Sequence, residues 1–434
     1  MGGMEGGCLQ VDGRTGEDPF APSRAGSPFG LLPTPGGWED KTEGVQNPPG
    51  MSGEGEVQKV AEVFYSQGKK EMGEEQMGEG GVRVPAAAPG SLKVFKGGKM
   101  NRVRRWWRVW THYLRYKLAS PPLSFANYFI TVKCNLKCIY CPVRTDTGSK
   151  IFDYCSSSRR ELSTEEAKRA MEELGKLGTL WISFSGGEPL LRPDLEEIAD
   201  KARREGMFTI LDTNATLITK RRARTLSRVF DSAVVSLQGM ERKNDEMRGK
   251  GTWRRTMRGI EFLKESGCEV GVNFILTNLN LGEIEEVVNF LRERVDHLFF
   301  NPVWEAKGFM PTREQVRWLE GKLFELKREH GNFLSNSSEH LRAIVRYLRG
   351  ERVVECEPFT LHVSLMPNGD LCGCFYPFPV GKVGEGLEEV RLRGKKKREE
   401  LWRECGGCAN SSYFHVTRLF RGSPFYLLER RFSP

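Results

Sequence analysis

Three cysteines lie within the eight residues from Cys134 to Cys141, in the run VKCNLKCIYCPV. Thiolates are soft ligands, and three at this spacing suit an iron–sulfur cluster or a zinc ion. Structural tetrahedral sites use four protein ligands, whereas three leave a coordination position open, as in catalytic sites. The triad with Cys138 as its middle member therefore predicts a metal centre that performs chemistry. A structural zinc site completed by a distant residue is the alternative.

A second set of cysteines follows far downstream. Cys356 and Cys374 precede a Cys-x2-Cys pair, Cys405-Gly-Gly-Cys408. Four thiolates ligate one iron–sulfur cluster completely, and the same ligand set suits structural zinc equally well. Cys372 lies two residues before Cys374 and could replace it as a ligand. The sequence thus predicts a second, closed metal site.

The chain has 434 residues and eleven cysteines, most of them in these clusters. Clustered cysteines in a long chain are typical of metal or catalytic use in a reducing compartment, not of a disulfide framework. Cys8, Cys155 and Cys268 are interpreted as ordinary thiols. No apolar run approaches the roughly 18 residues of a membrane span, and no secretory signal precedes the chain. A cytoplasmic location is expected.

Charge and composition separate the first 99 residues from the rest. Residues 1–99 are rich in Gly and Pro and carry a net charge of −4, whereas the remainder carries +13. Such a segment buries too little apolar surface to fold, so 1–99 is predicted to be a disordered tail, or an extension upstream of a natural start at Met100. The basic remainder indicates an anionic partner or surface.

Apolar runs rich in β-branched and aromatic residues alternate with amphipathic stretches between residues 124 and 304. Repeated βα units predict a parallel sheet with helices outside it. Ser163 and Glu166 form a capping box that marks one helix start. Six units predict an α/β fold, a partial (β/α)6 parallel barrel with its chemistry at the C-terminal strand ends. The apolar runs are FANYFITV, TLWISF, MFTIL, SAVVSL, VGVNFIL and HLFFNPV.

A smaller region is predicted after the barrel. The pattern after Pro311 is helical to about residue 349, and alternating runs then flank Asn368-Gly369, a strong hairpin signal. We therefore predict a core over 123–310, followed by a helical linker and a small C-terminal β-hairpin/α domain over 311–434.

An aromatic and basic helix is predicted within residues 100–122. Its apolar residues recur at steps of three and four, and its arginines have no acidic neighbour within the helix. Aromatic rings beside arginines are typical of a helix on an anionic lipid surface, to which the basic run 391–398 would add. A helix that packs against the open end of the barrel and a helix that binds RNA are the alternatives. The apolar residues are Val103, Trp106, Trp107, Trp110, Tyr113, Leu114 and Leu118.

The cysteine triad resembles that of the radical S-adenosylmethionine (SAM) superfamily, because it follows the first strand directly and has Tyr140 before its third cysteine. The resemblance implies that Cys134, Cys138 and Cys141 bind a [4Fe–4S] cluster whose open iron is chelated by SAM. It further implies that the reduced cluster cleaves SAM to a 5′-deoxyadenosyl radical, which abstracts hydrogen from the substrate. A low-potential electron donor of the ferredoxin or flavodoxin type is the implied partner.

The run SFSGGEPLL ends the second predicted strand and resembles the family element that contacts the amino group of SAM. The resemblance gives Gly186, Gly187 and Glu188 as SAM-binding residues. Glycines allow close approach of the backbone, and a glutamate can accept hydrogen bonds from the ammonium group.

Two further strand ends resemble family elements in part. LDTNAT resembles a Thr-Asn-Gly element, with Asn214 retained and Ala215 in place of Gly. VVSLQG resembles a Ser-Leu-Asp-Gly element, in which Ser236 is the candidate contact to the ribose or carboxylate of SAM. Gln238 stands where the family has Asp, which puts an acidic role there in doubt. The alternative is that these polar residues only cap strand ends.

The downstream cysteines resemble the SPASM and twitch extensions of this superfamily through Cys356, Gly369 and Cys374. The additional cysteines of a full SPASM extension are missing after Cys408. The resemblance therefore implies the shorter twitch form, with one auxiliary [4Fe–4S] cluster ligated by Cys356, Cys374, Cys405 and Cys408. The resemblance spans about residues 125–410.

The leading hypothesis for the substrate is an archaeal membrane lipid, with carbon–carbon bridging of its chains. A charge-rich core is typical of thermophiles, and a helix on the inner face of the membrane would bring the enzyme to hydrocarbon C–H bonds. Maturation of a peptide, a protein side chain or a cofactor precursor is the alternative. An iron–sulfur or zinc protein without enzymatic activity is the alternative of another class. Nucleic acid is not an expected partner.

Overall fold

The computed structural model describes residues 102–118, 121–147, 149–157, 160–354 and 356–422. The side chains of 102–106, and the predicted tail with Cys8, lie outside the described parts. The chain divides into two compact units, Met1–Val82 and Arg83–Pro434, and all the described residues belong to the second.

Nine strands and thirteen α-helices are described. The strands are β1 (Phe125–Thr131), β2 (Trp181–Gly186), β3 (Phe208–Thr213), β4 (Ser232–Ser236), β5 (Glu269–Leu276), β6 (His297–Pro302), β7 (His362–Leu365), β8 (Asp370–Cys372) and β9 (Pro379–Lys382). The helices are α1 (Arg102–Leu118), α2 (Lys150–Ser157), α3 (Thr164–Lys176), α4 (Leu195–Arg204), α5 (Lys220–Val229), α6 (Glu241–Arg248), α7 (Thr252–Glu265), α8 (Ile284–Leu291), α9 (Arg313–His330), α10 (Ser338–Leu348), α11 (Leu387–Lys396), α12 (Arg398–Glu404) and α13 (Ser411–Arg421).

All nine strands form one open sheet in the order β6-β5-β4-β3-β2-β1-β7-β8-β9. Strands β1 to β6 are parallel and alternate with helices, so the predicted α/β fold with a partial parallel barrel is confirmed. The hairpin strand β7 pairs in parallel with β1, with Phe125 opposite His362. The hairpin after the barrel therefore extends the barrel sheet.

The side chains of strand β1 belong to different apolar clusters on the two faces of the sheet. All seven of its residues are buried, as expected for a central parallel strand covered on both faces. Tyr128 and Ile130 pack into the large core beneath the helices. The alternate residues Phe125 and Phe129 belong to two other apolar clusters, because successive side chains of a strand point to opposite faces.

Helix α1 packs against the barrel through part of its apolar stripe. Val109 and Tyr113 are buried in a cluster with Trp181 and Phe208, the first residues of β2 and β3. The Tyr113 hydroxyl donates a hydrogen bond to the carbonyl of Gly422 at 3.1 Å. These contacts support the packing alternative for this helix.

Other residues of α1 remain at the surface, where Trp107 is 67% exposed. In the described part of the chain, no helix has the length and apolar character needed to cross a membrane.

Candidate active site

A cavity of about 310 Å³ opens at the C-terminal ends of the barrel strands. Residues of both cysteine sets line its wall, although they are far apart in sequence. This arrangement brings the two predicted metal sites to a single space, as expected for chemistry at the C-terminal face of a barrel. The cysteines in the wall are Cys134, Cys138, Cys141, Cys374, Cys405 and Cys408.

The first cysteine set lies on the loop that leaves β1. A turn closed by the hydrogen bond from the Cys141 amide to the Cys138 carbonyl, at 3.1 Å, brings these two residues together. Burial, and then the like charge of Cys138, raises the pKa of Cys141 to about 11. Burial also raises the pKa of Cys134. A bound metal centre would reverse these costs by stabilising the thiolates, so the three thiols fit a metal cluster.

The second set gathers around Cys374. Burial raises its pKa well above the ordinary value, followed by the like charges of Cys356, Cys405 and Cys408. All four thiols therefore lie within electrostatic reach of one another, which fits a four-thiolate site. By contrast, Cys372 packs with Phe129, Ile151 and Cys155 in a separate cluster. The geometry thus favours Cys374 over Cys372.

No group of three or more His, Cys, Asp or Glu side chains in the described residues is arranged to hold a single metal ion. An iron–sulfur cluster of four irons is wider than one ion, so its ligands need not converge on one point. The fit to a cluster therefore rests on the grouping of the cysteines in the cavity wall.

Gly186 and Gly187 attach the end of β2 to the first cysteine loop. The Gly187 amide donates to the Thr131 carbonyl, and the Glu188 amide donates to the Lys133 carbonyl, both at 2.8 Å. A Cβ on Gly187 would overlap the carbonyl oxygen of Lys133. Only glycine permits this approach, so the element positions the cysteine loop and also lines the cavity.

Glu188 lies beneath the cavity wall and is fully buried. One carboxylate oxygen accepts hydrogen bonds from the Thr213 hydroxyl at 2.7 Å and the Leu190 amide at 3.1 Å. The other accepts from the Asn214 amide at 2.8 Å. Glu188 therefore joins the ends of β2 and β3.

The polar residues at the ends of β3 and β4 make different contacts. Asn214 lines the cavity, and its side-chain amide donates to Asn135 of the cysteine loop at 2.9 Å. Ser236 also lines the cavity. Gln238 accepts from the Ile275 amide at 2.7 Å, which ties the end of β4 to β5. The glutamine that replaces the family's aspartate thus has a structural bond to the neighbouring strand.

Arg248 and Phe375 are among the site residues that were missed from the sequence. Arg248, at the end of α6, is 4% exposed, lines the cavity and donates to the carbonyl of Ser236. Burial lowers the pKa of Arg248, but its interactions with Tyr140 and Cys138 outweigh burial, so the pKa is raised overall. Phe375, next to Cys374, was also missed. No sequence signal separated either residue from the many other arginines and phenylalanines.

Phe375 contacts aromatic rings from three other segments of the barrel. Its ring centroid lies 5.7 Å from Phe129, 6.4 Å from Trp304 and 5.1 Å from Tyr413. Because Phe375 directly follows Cys374, this aromatic cluster forms the cavity wall beside the second cysteine set.

Comparisons with known proteins agree with this site. A family model described as the Radical SAM superfamily matches residues 128–291. The AdoMet-dependent heme synthase of Oleidesulfovibrio alaskensis is 33% identical over 318 residues, which cover 69% of this chain and 78% of the relative. The Fe-coproporphyrin III synthase of Methanosarcina barkeri is 34% identical over 216 residues, which cover 49% of this chain and about half (52%) of that enzyme.

A peptide-modifying relative and a solved structure are also similar. The PqqA peptide cyclase of Gluconobacter oxydans is 31% identical over 211 residues, which cover 46% of this chain and 56% of the relative. The crystal structure of Streptococcus suis SuiB bound to S-adenosylmethionine covers 74% of this chain and 78% of its own, with a TM-score of 0.51 and 18% identity. This structure shares the fold.

Proposed function

Because the chain belongs to the radical SAM superfamily, we propose that it uses SAM cleavage to mature a cofactor precursor or a peptide. As a member of this family it is a SAM-dependent enzyme, and its cofactors are a [4Fe–4S] cluster and SAM. The observation that carries the proposal is the single cavity onto which the open cysteine triad and the second cysteine set both face.

The first cluster is assigned to Cys134, Cys138 and Cys141. When bound, this cluster and SAM supply a radical able to remove hydrogen from an unactivated C–H bond. The chain's own residues would position the cluster and SAM and enclose them in the cavity. Gly186 and Gly187 hold the cysteine loop in place, and Glu188 fixes the strand end that carries Asn214.

The remaining contacts to SAM are assigned to groups in the cavity wall. Asn214 and Ser236 offer polar side chains. Arg248 is a buried cation beside Ser236 that suits the carboxylate of SAM, because a guanidinium binds a carboxylate through two parallel hydrogen bonds. Tyr140 is buried beside Arg248. Burial, and then the charge of Cys138, raises the pKa of its hydroxyl well above the ordinary value, and the positive charge of Arg248 opposes this only in part. Tyr140 therefore encloses the site near the first cluster.

The second set, Cys356, Cys374, Cys405 and Cys408, is assigned to an auxiliary [4Fe–4S] cluster. Burial raises the pKa of Cys356 and Cys408 to about 12, so both thiols need a metal to become thiolates at neutral pH. This assignment keeps the division into a core over 123–310 and an auxiliary region over 311–434. Electrons are expected from a donor of the ferredoxin or flavodoxin type, because the family's chemistry requires a reductant.

Two observations favour cofactor or peptide maturation over the bridging of lipid chains. The relatives described above are named for heme, Fe-coproporphyrin and a peptide. Helix α1, on which the lipid hypothesis rested, uses Val109 and Tyr113 for packing inside the protein. The lipid hypothesis therefore keeps only the exposed side of α1, including Trp107, as support.

Reductive cleavage of SAM tests the proposal. Anaerobically prepared enzyme with a strong reductant should form 5′-deoxyadenosine, and Cys138→Ala should abolish its formation because one cluster ligand is lost. Cys372→Ala is the matched control, since this thiol packs apart from both sets and should leave cleavage intact. Full cleavage by Cys138→Ala would refute the proposed function.

A further inference from the structure

One carboxylate in the cavity wall has no role in the site described above. Among the described residues that line the cavity, Asp212 and Arg248 are the side chains of acidic and basic amino acids. Arg248 is engaged with the Ser236 carbonyl and lies beside Cys138. Asp212 lies on β3, one position before its last residue, Thr213.

The hydrogen bonding of Asp212 is incomplete. One of its oxygens accepts a hydrogen bond of 2.5 Å from the Ser183 hydroxyl. Within the part of the chain that the structure describes, no other hydrogen bond or ion pair to the carboxylate of Asp212 is present. An ionised carboxylate has about four acceptor positions, so most of its capacity faces no protein donor.

The surroundings of Asp212 make its charge costly. Asp212 is partly buried and lines the cavity, and a carboxylate with little access to water is stabilised by a counter-charge or further donors. Burial raises the pKa of Asp212 to about 6, opposed only by the Ser183 hydrogen bond. A cation that enters the cavity and donates hydrogen bonds would provide the Asp212 carboxylate with the counter-charge and the donors that the protein does not provide.

We propose that Asp212 is a specificity-determining residue that binds a cationic nitrogen of the substrate, an ammonium or guanidinium group. This inference rests on the proposed function, because it takes the cavity as the substrate site. It favours an amine-bearing substrate, such as a peptide, over a compound that presents only carboxylates. The bond to Ser183, three residues before Gly186, places Asp212 deeper in the barrel than the strand end assigned to SAM.

Binding of n-butylammonium to the anaerobic, SAM-saturated holoenzyme tests the inference, measured by saturation-transfer NMR. Butan-1-ol and butyrate serve as neutral and anionic probes of similar size. We expect butylammonium to bind about tenfold more tightly than butanol, as for a charged hydrogen bond. Asp212→Asn should remove this preference. Glu241→Gln is the control, because this carboxylate bonds to Arg254 at the surface and should leave binding unchanged.

Three results would overturn the inference: equal binding of butylammonium and butanol to the wild type, unchanged butylammonium binding in Asp212→Asn, or butylammonium binding that appears only when SAM is left out. The last result would assign Asp212 to SAM. If Asp212→Asn fails to fold, the probe comparison on the wild type decides alone. Formation of 5′-deoxyadenosine in the same samples reports separately on the proposed function, so the two failures are distinguishable.

Discussion

At the scale of single residues, Ala215 has an unusual backbone. It has φ 59°, in the left-handed region that favours glycine, at the position where the family element has Gly. The strain of an alanine there is about 1–2 kcal/mol, partly offset by the lower chain entropy of alanine in the unfolded state. Helix α7 packs against it, and a Cβ on Gly259 would overlap the carbonyl oxygen of Ala215.

This contact gives opposite expectations for two substitutions. Ala215→Gly should leave the free energy of unfolding unchanged or raise it by about 0.5 kcal/mol, because strain is relieved at some cost in entropy. Gly259→Ala should lower it by about 1–3 kcal/mol, because the new methyl overpacks two backbones. Urea titration measures both changes, and a Gly259→Ala variant as stable as the wild type would contradict the packing described.

Asp212 gives a prediction for stability against pH. The folded apoprotein holds a proton there more tightly than the unfolded chain does, since the pKa rises from 3.8 to about 6. The folded state therefore loses stability as pH rises through this window. Asp212→Asn removes the charge, so it should equal the wild type near pH 4 and exceed it by about 1–3 kcal/mol at pH 8.

Thermal melts of the apoprotein at both pH values check this expectation. A wild type that is as stable as Asp212→Asn at pH 8 would mean that the carboxylate already has a partner.

Neither Asp212 nor Arg248 could be identified from the sequence. Each depends on which side chains the folded strands bring to the cavity. The cysteines, by contrast, stand out by their spacing, and Gly186-Gly187 by its resemblance to a family element.

At the scale of elements, local sequence patterns predicted the strands, a helix start and the hairpin turn. The position of each strand in the sheet depends on long-range pairing. The six apolar runs became β1 to β6, and the Ser163–Glu166 capping box is present at the start of α3. The Asn368-Gly369 turn joins β7 to β8, with Gly369 at φ 89°. The parallel pairing of β7 with β1 was not predictable, because no local period encodes which distant strand will be a neighbour.

Helix α1 carries a prediction that separates packing from surface binding. Tyr113→Ala should lower the free energy of unfolding by about 3–5 kcal/mol, because it removes a buried ring and the hydrogen bond to Gly422. Trp107→Ala, at an exposed position on the same helix, should change it by less than about 0.5 kcal/mol.

Thermal melts of these two variants should be paired with flotation on anionic vesicles at low salt. With α1 packed against the barrel, the wild type is expected to remain unbound. Recruitment that is lost in Trp107→Ala would instead restore a membrane role for the exposed side of the helix.

At the scale of the whole molecule, the two proposed metal sites face one cavity, and the proposal sets the expected iron content. Two [4Fe–4S] clusters give about eight irons per chain. Replacing Cys134, Cys138 and Cys141 together by Ala should remove about half, and so should replacing the four cysteines of the second set. Iron analysis of anaerobically prepared protein is the measurement. Zinc in place of iron at the second set would support the alternative of a structural zinc site with four cysteine ligands.

The packing of α1 against α13 has a consequence for how the protein is made. The hydrogen bond from Tyr113 to Gly422 joins residues 309 positions apart, and the β1–β7 pair likewise waits for the C-terminal region. A ribosome releases β1 to β6 long before these partners emerge. The nascent barrel therefore has an unpaired edge on β1 and an uncovered apolar end until residues 362–422 have emerged. The auxiliary cluster is consequently expected to be inserted only after Cys408 has emerged, because its four proposed ligands come together only then.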